Sequence, residues 1–162
     1  MISDQLQILK DRLSSILTGK VVYLGIGNIL RGDDGIGPEL VSRLSEKGLC
    51  TVDAGTVPEN HIRSVTRFDP DTVIIVDAVH LDREPGAVEL LDRNEIKGGT
   101  GFTTHSLSPA LVMERLEEET GAGIFLLAIQ PGGIEFGAPL SPAVAYMLES
   151  LTDLLSVTES TS

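Results

Sequence analysis

Residues 73–77 read Val-Ile-Ile-Val-Asp, a run that is apolar up to its last residue. A continuous apolar run of this length is typical of a strand that is buried on both faces of a parallel sheet. Two further apolar runs, at 21–27 and 123–130, have the same character, and a shorter run covers 50–53. Segments with helix signals stand between these runs. The alternation predicts an α/β fold in three layers, α/β/α, with helices on both faces of the sheet.

The connection that follows residues 73–77 is too short for a parallel neighbour. Only His80 to Gly86, a segment that contains Pro85, separates this strand from the next apolar segment at 87–91. A parallel pair needs a crossover of about a dozen residues or more, whereas an antiparallel pair needs only a turn. We therefore predict a five-stranded mixed sheet that is mostly parallel and has one antiparallel strand.

The helices are predicted from apolar spacing and from their start signals. Leucine and isoleucine recur at helical spacing near the beginning of the chain, which predicts an N-terminal helix within residues 1–20. Proline favours the first turn of a helix, and it opens the segments at 38–47, 108–119 and 142–155. Pro58 can likewise open a helix after the run at 50–53, so four helices are predicted in the core.

The length of 162 residues suits one domain. We expect residues 21–156 to form the α/β core and residues 157–162, which are rich in Ser and Thr, to be a disordered tail. Three of the eight residues at 97–104 are glycines, and this segment is predicted to form a flexible loop that can act as a lid.

The charge of the chain limits its partners. Lys and Arg number 12 against 24 acidic residues, for a net charge of −12. Nucleic acids and anionic membrane surfaces are bound by basic faces, so neither is expected as a partner. The single cysteine, Cys50, excludes an internal disulfide. No apolar run approaches the length of a membrane span and no leader precedes the first helix, so we expect a cytoplasmic protein without membrane insertion.

Several carboxylates follow the predicted strands. Asp33 and Asp34 come after the first strand, Asp53 closes the second and Asp77 closes the third, while His105 precedes a helix. Ligands of open α/β sheets bind beyond the carboxyl ends of the strands. Acidic side chains gathered there repel one another unless a cation or protons intervene. The pattern therefore indicates a site for a positively charged ligand.

Asp34, Asp77 and His105 are the candidate metal ligands. Two carboxylates and one imidazole suit Ni, Zn, Mn or Fe, and three protein ligands leave positions open for water or substrate. Each residue also has an ordinary alternative role. Asp34 can cap a helix, Asp77 can bind a loop amide, and His105 can be a polar surface residue. Their irregular spacing alone does not decide between the two interpretations.

A dinucleotide site is the main alternative from the local motif. Gly25 and Gly27 begin a GxGxxG-like turn, and Asp53 stands about where a ribose-binding acid is expected. However, Leu30 occupies the position of the third glycine, and the two following aspartates would repel phosphates. The motif is therefore weak evidence for nucleotide binding.

Five segments together resemble the NiFe-hydrogenase maturation endopeptidases. The opening signature is Gly-Ile-Gly-Asn-Ile-Leu-Arg-Gly-Asp-Asp-Gly-Ile-Gly at 25–37. The other four follow in the family's order and are Asp-Ala-Gly-Thr with Pro-Glu-Asn at 53–60, Val-Asp-Ala at 76–78, Thr-Thr-His-Ser-Leu at 103–107 and Phe-Leu-Leu-Ala-Ile-Gln-Pro at 125–131. The resemblance covers about residues 21–155, so the N-terminal helix is an addition to the usual start.

The resemblance implies a peptidase that removes the C-terminal extension of a nickel-loaded hydrogenase large-subunit precursor. It implies that Asp34, Asp77 and His105 are the nickel-binding and catalytic set, and that nickel arrives with the substrate. Asn28, Asp33, Asp53 and Thr104 are then expected to bind substrate or to orient the ligands. The resemblance also implies a mixed five-stranded sheet and a monomer.

Two departures from the family pattern and two open questions accompany this resemblance. Asp34 stands where some members carry Glu, and Ala54 replaces a glycine in the second motif. The residues do not distinguish an aspartic-type mechanism from a metal-assisted one. They also fit a nickel-sensing or chaperone module that binds the same precursor without cutting it.

Overall fold

The computed structural model describes residues 2–98 and 109–160. Five strands and six α-helices occupy these residues, and they alternate except that β4 follows β3 and α5 follows α4. The strands are β1 (Val21–Ile26), β2 (Cys50–Gly55), β3 (Thr72–Ala78), β4 (Val88–Asp92) and β5 (Gly123–Ile129). The helices are α1 (Ile2–Ile16), α2 (Ile36–Glu46), α3 (Ile62–Thr66), α4 (Arg93–Gly98), α5 (Pro109–Thr120) and α6 (Pro142–Ser160). Short 3-10 turns at Gly32–Gly35 and Pro58–Asn60 precede α2 and α3.

The strands form one mixed sheet in the order β2-β1-β3-β5-β4. β1, β2, β3 and β5 pair in parallel, and β4 pairs antiparallel with β5 at the edge. The prediction of one antiparallel strand after a short connection is therefore confirmed. β3 lies in the middle of the sheet and every one of its residues is buried, as its apolar run predicts.

Two hydrophobic cores cover the two faces of the sheet. Alternate residues of β3 belong to different cores, since successive side chains of a strand point to opposite faces. Buried residues of α1, α2 and α6 form the first core with Tyr23, Ile74 and Val76. Buried residues of α3 and α5 form the second core with Leu24 and Ile75. The predicted arrangement of helices on both faces of the sheet is confirmed.

α1 covers the antiparallel edge of the sheet. Leu9 and Leu13 are buried in the first core, which also contains residues of β4. Gln5 Oε1 accepts a hydrogen bond from Val88 N at 3.1 Å. The Arg12 guanidinium donates a hydrogen bond to Glu95 of α4. This bond is the main reason why the pKa of the Glu95 carboxyl is lowered. The N-terminal helix therefore packs on β4 and is also tied to α4.

The first two residues of the predicted loop at 97–104 are helical. Lys97 and Gly98 are part of α4, and the remainder of that segment lies outside the described residues. α4 begins with a capping box. Glu95 N donates to Asp92 Oδ1 at 2.8 Å, and Asp92 N donates to Glu95 Oε1 at 3.1 Å. This reciprocal pair satisfies two backbone donors and explains why a helix forms directly after β4.

The last helix is longer than predicted. α6 extends to Ser160, so the expectation of disorder from Val157 is wrong for residues 157–160. Thr158 is buried and its hydroxyl donates to Leu154 O at 2.7 Å. Burial of this side chain and local satisfaction of its hydroxyl allow a Ser/Thr-rich segment to stay helical. None of the helices in the described part of the chain is both long and apolar enough to cross a bilayer.

Candidate functional site

The candidate site lies where the connections of the sheet change direction. β1 and β3 are neighbours, and the chain leaves β1 toward β2 on one side and leaves β3 toward β5 and β4 on the other. Open α/β sheets bind ligands in the crevice at such a switch point, outside the carboxyl ends of the strands. Asp34 follows β1 and Asp77 stands one residue before the end of β3. The two carboxylates therefore lie beyond β1 and near the end of β3, the two strands that flank the crevice.

Glycines allow α2 to pack closely on the strand ends. A Cβ atom on Gly37 would stand 2.3 Å from Ile26 O and 2.5 Å from Val76 O. Gly27 has φ +145°, and a Cβ atom there would stand 1.9 Å from Asp34 O. The first turn of α2 therefore rests on the ends of β1 and β3. This packing fixes Asp34, three residues before Gly37, next to the end of the strand that carries Asp77.

We predict that Gly37→Ala destabilises the protein by about 1–3 kcal/mol, because the added methyl group meets backbone oxygens that cannot rotate away. The measurement is urea unfolding followed by circular dichroism. Gly133→Ala is the control, since a Cβ atom there meets nothing within 4 Å and its φ is not positive. An equal loss of stability in both variants would contradict the close-packing explanation.

Asp33 is fully buried and its carboxylate accepts four hydrogen bonds. Oδ2 accepts from Gly132 N at 2.7 Å, from Gly133 N at 3.1 Å and from Ser141 Oγ at 2.7 Å, and Oδ1 accepts from Ser141 N at 2.7 Å. Asp33 N in turn donates to Gly133 O at 2.8 Å. A carboxylate has about four acceptor positions, so these bonds use its capacity. Asp33 connects the turn after β1 to the segment between β5 and α6.

Asp34 is also buried, at 5% exposure, but its carboxylate makes far fewer bonds. Within the described residues it accepts one hydrogen bond, from Asn28 N to Oδ2 at 2.9 Å. The Asn28 side chain accepts from Leu30 N at 2.9 Å and so holds the same turn. Among residues 2–98 and 109–160, therefore, Asp34 has far fewer donors than its neighbour Asp33.

Asp77 is 2% exposed and lies within β3, opposite Ala128 of β5. By strand alternation its side chain shares a face with Val73 and Ile75, which belong to the second core. α5 packs on that face and begins at Pro109, four residues after His105. Burial of two carboxylates beside one crevice is costly unless hydrogen bonds, protons or a cation stabilise them.

Asp53 occupies a different environment from the other carboxylates. Its side chain is exposed, and Oδ1 accepts a hydrogen bond from Gly55 N at 3.0 Å within the same turn. Gly55 O then accepts from Gly27 N at 2.8 Å. Asp53 thus holds the end of β2 against the turn after β1, and it does not join the buried pair.

His105 and Thr104 lie outside the described residues. Among residues 2–98 and 109–160, no three His, Cys, Asp or Glu side chains lie close enough together to hold an ion. The grouping of His105 with Asp34 and Asp77 therefore stays a prediction. The donor chemistry of the two buried carboxylates fits a divalent cation that lacks one or more further ligands.

No local sequence pattern indicates the residues that hold the Asp33 carboxylate. Gly132, Gly133 and Ser141 are 99 to 108 residues away from Asp33 in the chain. The only local hint is the Pro-Gly-Gly sequence that follows β5 at 131–133. Such long-range contacts become visible only once the sheet order is known.

Comparison with known proteins decides what this arrangement belongs to. A family model described as HycI, hydrogenase maturation protease, matches residues 36–156. A putative hydrogenase maturation protease of Methanocaldococcus jannaschii is 31% identical over 160 residues, which cover 92% of each chain. This chain belongs to the hydrogenase maturation protease family. The family predicted from the sequence motifs is therefore confirmed.

Other hydrogenase maturation proteases agree in sequence and in fold. The hydrogenase 3 maturation protease of Escherichia coli K12 is 32% identical over 133 residues, covering 80% of this chain and 85% of that protein. The crystal structure of the protease HycI from Thermococcus kodakarensis superimposes with a TM-score of 0.81 at 31% identity, over 93% of this chain and 97% of that one. The solution structure of the endopeptidase HycI from Escherichia coli gives a TM-score of 0.75 at 26% identity, over 87% and 92%.

Proposed function

We propose that this hydrogenase maturation protease is an endopeptidase that removes the C-terminal extension of a nickel-loaded hydrogenase large-subunit precursor. The observation that carries the proposal is the pair of buried carboxylates at the switch point, Asp34 in the turn that follows β1 and Asp77 near the end of β3. Membership of a family whose relatives are named maturation proteases supports the reaction class. A monomeric state and a cytoplasmic location stay predictions.

We propose Asp34, Asp77 and His105 as the side chains that bind the nickel of the precursor. Two carboxylates and an imidazole are suitable donors for this ion, and Asp34 has acceptor positions to offer. A nickel ion held there would supply Lewis-acid polarisation of the scissile carbonyl or of a water molecule. Its place in the precursor makes it part of the substrate.

The two carboxylates also suit proton transfer without further groups. In a mechanism of the acid-protease type, one carboxyl group acts as the general base and the other as the general acid. The ionised group takes a proton from the attacking water and the protonated group gives one to the leaving amine. In both versions of the mechanism Asn28 N holds one oxygen of Asp34 in place, and Asp33 keeps the turn closed.

The proposed function is tested by mixing the protein with nickel-loaded and with nickel-free precursor and measuring the masses of the products. We expect loss of the C-terminal extension from the nickel-loaded precursor alone. An intact precursor that binds tightly would instead support a nickel-sensing or chaperone module. An intact precursor that does not bind, together with tight binding of NAD or ATP, would support a nucleotide-binding domain.

A further inference from the structure

Three large apolar side chains are exposed at the rim of the candidate site. Ile29 is 61% exposed, Leu30 is 55% exposed and Phe136 is 74% exposed. We call these three residues the rim patch. Ile29 and Leu30 belong to the turn after β1, and Phe136 belongs to the segment between β5 and α6. Contiguous apolar groups on the surface of a folded protein commonly mark a place where another molecule binds.

Hydrogen bonds connect the rim patch to Asp34. Leu30 O accepts from Gly137 N at 2.7 Å, which brings the residue after Phe136 against the first turn. Leu30 N donates to the side chain of Asn28, whose own N–H donates to Asp34 Oδ2. Asn28 therefore links Leu30 of the rim patch to the proposed catalytic carboxylate of Asp34 through two hydrogen bonds.

The two segments that carry the rim patch are held in fixed positions. The Asp33 carboxylate accepts hydrogen bonds from the N–H groups of Gly132, Gly133 and Ser141, all in the segment between β5 and α6. A Cβ atom on Gly32 would stand 2.5 Å from Gly133 O, so the two backbones are in close contact. Apolar side chains that a fixed loop holds in water have an unfavourable hydration free energy, and burial against a partner removes that cost.

We infer that the rim patch binds an apolar segment of the precursor polypeptide that adjoins the scissile bond. This inference rests on the proposed function, since it places the scissile bond at Asp34. A polypeptide that passes Asp34 advances about 3.3 Å per residue, so the residues next to the cut reach the rim within a few positions. Apolar contact also allows a protein with a net charge of −12 to bind a segment that carries no positive charge.

The test measures the affinity and the cleavage kinetics of the nickel-loaded precursor with Leu30→Ser and with Phe136→Ser. Val157→Ser is the matched control. Val157 is 58% exposed and lies about 22 Å along α6 from Pro142, toward the amino ends of the parallel strands. We expect Kd and KM to rise about tenfold in each rim variant, while kcat changes less than about twofold. Melting temperatures equal to that of the wild type show that the variants are folded.

Unchanged Kd and KM in both rim variants, with normal cleavage by the wild type, would overturn the rim patch and leave the proposed function standing. A wild type that binds the precursor but does not cut it, with weaker binding by the rim variants, would support the patch and overturn the cleavage. A wild type that neither binds nor cuts would overturn both. Sedimentation that shows a wild-type dimer and monomeric rim variants, with precursor affinity unchanged, would assign the patch to self-association and overturn the inference.

Discussion

Asp77→Asn is expected to abolish removal of the C-terminal extension while the protein stays folded. The amide has the size of the carboxylate, so the packing of β3 is kept, but it carries no charge and cannot accept a proton. Loss of one positioned acid–base or ligand group typically lowers a rate by about 10²–10⁴-fold. Asp34→Asn is expected to behave in the same way, because an amide oxygen can still accept the bond from Asn28 N.

The measurement is the rate at which the mass of the nickel-loaded precursor falls, recorded together with the melting temperature of each variant. Asp69→Asn is the control. This substitution removes the same charge from an exposed residue at the amino end of β3, the end opposite to the candidate site. The φ of Asp69, +51°, is one that Asn tolerates. Normal processing by Asp77→Asn would contradict the assigned role, and so would an equal loss of activity in the control.

Asp33→Ala is expected to lower the free energy of unfolding by about 3–5 kcal/mol. Its fully buried carboxylate accepts four hydrogen bonds, and its removal takes the acceptor from the N–H groups of Gly132, Gly133 and Ser141 and leaves a cavity where the carboxylate stood. In a chain of this length such a loss corresponds to a melting temperature lower by roughly 10 °C. Thermal and urea unfolding followed by circular dichroism measure both quantities.

Ser141→Ala is the matched comparison for this prediction. It removes the hydroxyl bond to Asp33 and keeps the three backbone donors, so we expect a loss of about 1 kcal/mol. A loss as small in Asp33→Ala as in Ser141→Ala would show that the four-bond arrangement contributes little to stability.

These two predictions separate adjacent residues by function. Asp33 and Asp34 are both acidic and both buried, and they follow one another in the same turn. The number of hydrogen bonds from the described residues distinguishes them, since the Asp33 carboxylate accepts four and the Asp34 carboxylate accepts one. We therefore expect Asp33→Ala to affect stability most strongly, and Asp34→Asn to affect catalysis most strongly.

The sheet was predictable because local sequence patterns indicate its strands. The apolar run at 73–77 required a buried central strand, and the short connection at 80–86 allowed only an antiparallel neighbour. The start of α4 was missed although its signal was present, because the capping box of Asp92 and Glu95 directly follows a strand pattern. The end of α6 was missed because a Ser/Thr-rich composition does not reveal that Thr158 is buried.

The candidate site was only partly predictable for a physical reason. Asp34 and Asp77 both come at the carboxyl ends of parallel strands, and this placement follows from the sequence alone. The saturation of Asp33 depends on donors 99 to 108 residues away, which no local pattern specifies. The exposure of Phe136 is likewise a property of the folded rim and not of its sequence neighbourhood.

The most direct test is a crystal structure of the protein soaked in nickel or cadmium, with an anomalous difference map that locates the metal. We predict one peak bound by Asp34, Asp77 and His105, at about 2.0–2.2 Å from an oxygen or nitrogen of each. Without a peak, donor atoms of all three groups within about 4.4 Å of one another would still agree with a shared ion. Donor atoms farther apart than this in the metal-soaked crystal, or a peak bound by other residues, would contradict the account.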